Sequence, residues 1–91
     1  MFVVHCQDRP DSSALRQATR EAHLAYARAH IDRFVMGGPT LTDDRSTMTG
    51  SILVLNFTER AELDAFLAAD PYAQAGLFES VTVWPYRKVL P

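Results

Sequence analysis

The stretch that most limits what this chain can fold into is Thr49–Phe57, TGSILVLNF. Read as a strand, it places Leu53, Leu55 and Phe57 on one face and Ile52 and Val54 on the other. A strand apolar on both sides is buried on both sides. The 91 residues make one domain, 1–91, and the helices of so small a unit readily cover one face of a sheet. The second face then needs another subunit, so a homodimer joined through that face is expected.

The neighbouring segments can be read against this strand. Phe2 to Asp8 alternates as a strand, with Phe2, Val4 and Cys6 facing one way and Val3, His5 and Gln7 the other. Arg9 to Ser13 supplies turn residues and N-caps, and a long helix is expected from Ser13 to Ile31. Its apolar stripe reads Leu15, Ala18, Ala22, Ala25, Tyr26 and Ala29, with Thr19, His23 and His30 along one border. Arg16, Arg20, Arg28 and Arg33 are interleaved with Glu21 and Asp32, which reads as a solvated face rather than an anion site. Asp32 to Pro39 follows as a strand with a bulge at Gly37-Gly38-Pro39, and Thr40 to Met48 as a loop.

After Thr58, read as a cap, a second helix puts Leu63, Phe66 and Leu67 on one stripe. Asp70 lands on that same stripe at the last turn, and Pro71 ends the helix. An acid on an apolar stripe must be paired, protonated or open to a cleft. Spacing alone favours a fraying turn with Asp70 in water. As the end of a helix, the position also sets Asp70 against the negative pole of the dipole. A turn at Ala73–Gly76 and a strand from Leu77 to Leu90, bent at Pro85, complete the chain. The order strand–helix–strand–strand–helix–strand is the ferredoxin-like α+β arrangement with an antiparallel sheet.

Several chemistries drop out. A net charge of −2 and nine scattered basic residues give no stripe for phosphates, against nucleic acid as a partner. No window approaches the roughly 20 apolar residues of a membrane helix, and the N-terminal apolar run is too short for a signal sequence. A lone cysteine, Cys6, rules out an internal disulfide and suits a reducing compartment, so a cytoplasmic location is expected. His23 and His30 are about 10.5 Å apart along a helix and cannot chelate one ion, which leaves only His5 with one of them as a metal reading, and no metal is expected. There is no nucleophile elbow and no phosphate-binding loop, and Cys6 sits within a strand, packed and inert. Trp84 and Tyr86 lack a basic surround and read as interface packing. What remains is acid–base chemistry by His23 and Asp70, because two helices side by side on one sheet face can bring the pair to a cleft.

Arg20-Glu21-Ala22-His23-Leu24, Gly38-Pro39, Thr49-Gly50-Ser51, Ala69-Asp70-Pro71-Tyr72 with Ala75-Gly76, and Val83-Trp84-Pro85-Tyr86 with Lys88 together resemble the YciI-like family. The opening strand ending in Gln7-Asp8 fits as well, and the match runs in register over nearly the whole chain. The resemblance implies a dimeric α+β barrel of ferredoxin-like subunits. It puts a histidine–aspartate active-site pair on His23 and Asp70, with Arg20, Ser51 and Tyr72 as accompanying polar positions that bind substrate. It implies a cofactor-independent lyase or isomerase moving a proton on a small organic acid or ring-derived molecule. The alternative is a non-catalytic dimeric module that binds a small molecule or serves as an accessory domain. This chain departs from the family pattern in having Gly37 before Gly-Pro and a shorter loop at Thr40–Met48, which bears on substrate preference more than on fold.

Overall fold

The computed structural model describes residues 1–91. The elements are β1 (Phe2–Asp8), α1 (Ser13–Ala29), β2 (Phe34–Leu41), β3 (Met48–Leu55), α2 (Arg60–Ala68), α3 (Pro71–Gln74) and β4 (Phe78–Pro85). A single 3-10 turn, Ile31–Arg33, joins α1 to β2. The strands lie in the order β2-β3-β1-β4, and each neighbouring pair is antiparallel. This is the ferredoxin-like α+β sheet expected from the order of elements.

Alternation on β1 sends Phe2, Val4 and Cys6 toward the helices, where Val4 lies between Leu53 of β3 and Val83 of β4. Those side chains close a core with Leu55, Phe57, Leu63 and Phe66. Phe66 is the hub of its aromatic part: Tyr26, Phe57, His30 and Phe34 have ring centroids 5.1, 5.3, 5.5 and 5.9 Å from it. The Tyr26 hydroxyl donates to the Phe66 carbonyl at 2.8 Å, satisfying an orphan acceptor near the end of α2 and pinning α1 to it. Phe66→Ala should therefore destabilise the fold by about 3–5 kcal/mol in urea unfolding. A loss below about 1 kcal/mol would mean the ring cluster closes over the cavity or contributes little.

The buried side of α1 is not the alanine stripe. Leu15, Ala18, Ala22, Ala25 and Ala29 are exposed, and the face turned inward carries Arg16, Thr19, His23, Tyr26, Ala27 and His30. Alanine offers little area to hide, so exposing a row of methyl groups costs less than exposing the Tyr26 ring. The polar residues on the inner face are held by partners. His30, for example, bonds the Tyr26 carbonyl through Nδ1 at 2.9 Å.

Other boundaries also move. The α1 helix stops at Ala29, β2 begins at Phe34, and β4 ends at Pro85, short of Leu90. The register of β2 against β3 slips at Phe34/Met36 and Thr40/Leu41, leaving Gly37-Gly38-Pro39 regularly paired. Glu59, in extended conformation and without a side-chain cap bond, precedes α2 in place of Thr58. Leu67 is half-buried, whereas Leu53, Leu55, Leu63 and Phe66 are buried.

The second sheet face carries Val3, Val54, Met36 and Trp84 in one cross-strand row and His5, Ile52, Gly38 and Thr82 in the next. Met36 is 61% and Trp84 49% exposed. His5 therefore lies on the opposite side of the sheet from His23 and His30, and no group of three or more His, Cys, Asp or Glu is placed to hold a metal ion. No helix is long and apolar enough to cross a membrane.

Candidate functional site

Pro71 breaks the chain between α2 and α3, and Asp70 is thrown into extended backbone (φ −63°, ψ 131°) as the N-cap of α3. Its Oδ1 accepts from the Tyr72 backbone N–H at 2.9 Å, so the carboxylate is locked in one rotamer. Asp70 thus stands as the N-cap of a short helix, two residues past the end of α2, and not within the last turn of α2 as expected from the sequence. His23, two-thirds of the way along α1, brings Nδ1 to 2.9 and 3.0 Å from the two oxygens of this buried carboxylate. The carboxylate can only accept, so Nδ1 donates to it and Nε2 is left without a partner in the chain. The Tyr72 ring stacks on the imidazole at 4.1 Å and 17°, which fixes the ring plane.

A second polar unit lies beside the first. Arg16, counted among solvated residues in the sequence, is 6% exposed. Its Nε and Nη2 donate to Asp8 at 2.7 and 3.2 Å, Nη2 also donates to Ser51 at 3.0 Å, and its guanidinium carbon lies 4.7 Å from the Tyr72 ring centroid. Burial works against the cation, but the hydrogen bond and charge of Asp8 hold the guanidinium pKa above its ordinary value. Neither Arg16 nor Asp8 was picked out from the sequence, yet both signals were present. Asp8 continues the inward-facing series Phe2, Val4, Cys6, and Arg16 is two helical turns before His23. Gly50 makes the Ser51 contact feasible, since a Cβ there would fall onto the Cys6 carbonyl oxygen of the adjacent strand.

Both units open on one cleft of about 440 Å³ between α1 and the β2–β3 edge. Arg16, Arg20, His23, Ser51 and Tyr72 line its polar end, and Leu24, Ala27, Phe34 and Leu53 line its apolar wall. So four of the five residues proposed from the sequence fall into two groups, and Arg20 stands apart. His23, Asp70 and Tyr72 touch one another, while Ser51 belongs to the Arg16–Asp8 pair. Arg20 lines the rim, exposed and without a side-chain hydrogen bond. The Tyr72 hydroxyl is raised in pKa mainly by burial, while the nearby charges of Arg16 and Arg20 pull the other way.

Cys6 lies beneath the site. Burial above all, then the charges of Asp70 and Asp8, push its thiol up to about 12 against the opposing pull of Arg16. The native state keeps this proton while the unfolded chain releases it near 9.0, so stability present below pH 9 should be lost as pH rises toward 12. The raised Tyr26 and Tyr72 act in the same sense. Urea midpoints should fall above pH 9, and Cys6→Ala should flatten that fall; an unchanged slope would mean other groups carry it.

The family model for the YCII-related domain matches residues 1–87. The chain belongs to the YCII-related family. As a YCII-related protein it is 34% identical over 96 aligned positions to Protein YciI of Escherichia coli O6:H1, covering 98% of each chain. It is 33% identical to an uncharacterized protein of Haemophilus influenzae, covering 97% of each. Its fold superposes with a TM-score of 0.88 on the 5-chloro-2-hydroxyhydroquinone dehydrochlorinase TftG of Burkholderia phenoliruptrix, solved in complex with 2,5-dihydroxybenzoquinone. That match has 34% sequence identity and covers 94% of this chain and 92% of the other. A Mycobacterium tuberculosis protein at 18% identity and a TM-score of 0.56 shares the fold alone.

Proposed function

We propose that this YCII-related protein is a cofactor-independent lyase or isomerase in which His23 and Asp70 move a proton on a small ring-derived molecule. The observation that supports this most is the free Nε2 of His23 at a cleft whose opposite ring nitrogen is tied to Asp70. Nε2 takes a proton from a substrate O–H or C–H, and the Asp70 carboxylate balances the imidazolium that forms. The electron pair left behind expels an anionic leaving group from a neighbouring carbon, or shifts along a conjugated system. In the second case the same proton returns to a different carbon. Each step balances with the substrate and the chain's own base. The apolar wall of Leu24, Ala27, Phe34 and Leu53 suits a flat ring, and the similarity to a hydroquinone dehydrochlorinase points the same way.

The test is a panel of chlorinated and unchlorinated hydroxyhydroquinones with small unsaturated lactones, followed by chloride release, ultraviolet absorbance and deuterium uptake from D2O. Turnover or exchange that vanishes in His23→Ala supports the reading. Ligands that bind in the cleft with neither turnover nor exchange would leave a binding module in its place.

We further propose that two copies join through the second sheet face. The support is the apolar row of Val3, Val54, Met36 and Trp84, whose outer members Met36 and Trp84 stand exposed. Sedimentation at micromolar concentration should give a dimer, and Trp84→Glu should yield monomer. A wild-type monomer at that concentration would remove the idea.

A further inference from the structure

Arg16 has more donors than its partners use. Nε and Nη2 are taken up by Asp8 and Ser51, but Nη1 bonds to nothing in the chain. No fully buried side-chain nitrogen or oxygen lacks a partner, so Nη1 must reach the outside, and the cleft is the opening that Arg16 lines. The result is a guanidinium more than nine-tenths buried, clamped on two sides, with two N–H groups presented to the cleft.

We infer that Arg16 is the positioning residue for an anionic oxygen of the substrate, and that the substrate class is therefore a small ring bearing an ionised carboxyl or acidic hydroxyl. This rests on the proton-transfer reading for its role in turnover and deepens it by naming the group that sets the ring's orientation. Arg16 suits the task better than Arg20, because its geometry is set before the ligand arrives. Arg20 is exposed and must give up side-chain freedom to bind. Asp8 cancels the Arg16 charge at long range, so the spare N–H groups act by direct hydrogen bonding to the anion rather than as a diffuse field. The same ring of Tyr72 touches His23 at 4.1 Å and the Arg16 guanidinium carbon at 4.7 Å. One small molecule can thus be held by the arginine and face Nε2 of the histidine. Charge that moves onto the held oxygen during proton removal would be stabilised by donors already in place.

The experiment uses a pair of probes of nearly equal shape, benzoate and benzamide, with binding followed by NMR of the full chain and its side-chain arginine N–H signals. Wild type should bind benzoate at least tenfold more tightly than benzamide, and benzoate alone should move the Arg16 signals. Arg16→Met leaves Asp8 unpaired and is expected to fold poorly, so the variant to use is the double Arg16→Met/Asp8→Asn, which replaces the pair by neutral groups of similar size. It should bind both probes about equally. Arg20→Met should keep most of the preference, since Arg20 is exposed and makes no side-chain hydrogen bond. Equal binding of the two probes by wild type, or a benzoate preference that survives in the double variant, would overturn the role of Arg16. Either result leaves proton transfer by His23 to be judged by the turnover panel.

Discussion

His23→Ala should lower turnover on any substrate that emerges from the panel by about 10²–10⁴-fold, the usual range for a lost general base. Asp70→Ala should do nearly as much, because the carboxylate fixes both the tautomer and the orientation of the ring. The double variant should be little worse than either single one, since residues acting as a unit lose their function together. A readout independent of substrate comes from the ring itself. In the wild type the imidazole nitrogen shifts should report a proton held on Nδ1, and in Asp70→Ala a ring released from that constraint. Additive losses in the double variant, or an unchanged tautomer in Asp70→Ala, would separate the two residues. His23 would then be a cleft-lining group without its proposed partner.

The second large effect concerns stability. Arg16→Met alone should cost about 3–5 kcal/mol, because it strands the Asp8 carboxylate in a site with almost no solvent. For a domain of this size, whose whole stability is roughly 5–15 kcal/mol, that is a large part of the total. Adding Asp8→Asn should recover much of the loss, since a neutral pair removes the uncompensated charge. Chemical denaturation of the two variants checks both statements. A double variant no more stable than Arg16→Met would show that packing of the guanidinium against Tyr72 matters more than pairing with Asp8.

Comparison of the two helices explains which parts of the site were visible in the sequence. The α2 stripe of Leu63, Phe66 and Leu67 was legible because each side chain is large and its burial dominates the helix's orientation. Asp70 on the same stripe, followed by a proline, was equally plain. The α1 face was not legible. Its alanines mark a pattern but carry little burial energy, and the face that wins is set by Tyr26 against Phe66 and by Arg16 against Asp8. Those partners are 40 and 8 residues away, on other elements, so the pairing lies outside the periodicity of the helix itself.

The sequence by itself determined the ferredoxin-like order of strands and helices and the strand apolar on both faces, which runs as Met48–Leu55 and stops short of Phe57. His23 and Asp70 were candidates through the motifs that resemble a family, not through spacing. Periodicity and chain order are local properties, and the residues concerned carry them individually. Only the tertiary structure decided that Asp70 caps α3 instead of closing α2, that the inward face of α1 is polar, and that Arg16 is clamped beneath the cleft with donors to spare. A buried charge is tolerated only where its partners converge on it. That convergence of β1, β3 and α1 exists once the sheet has formed, and no single segment of the chain contains it.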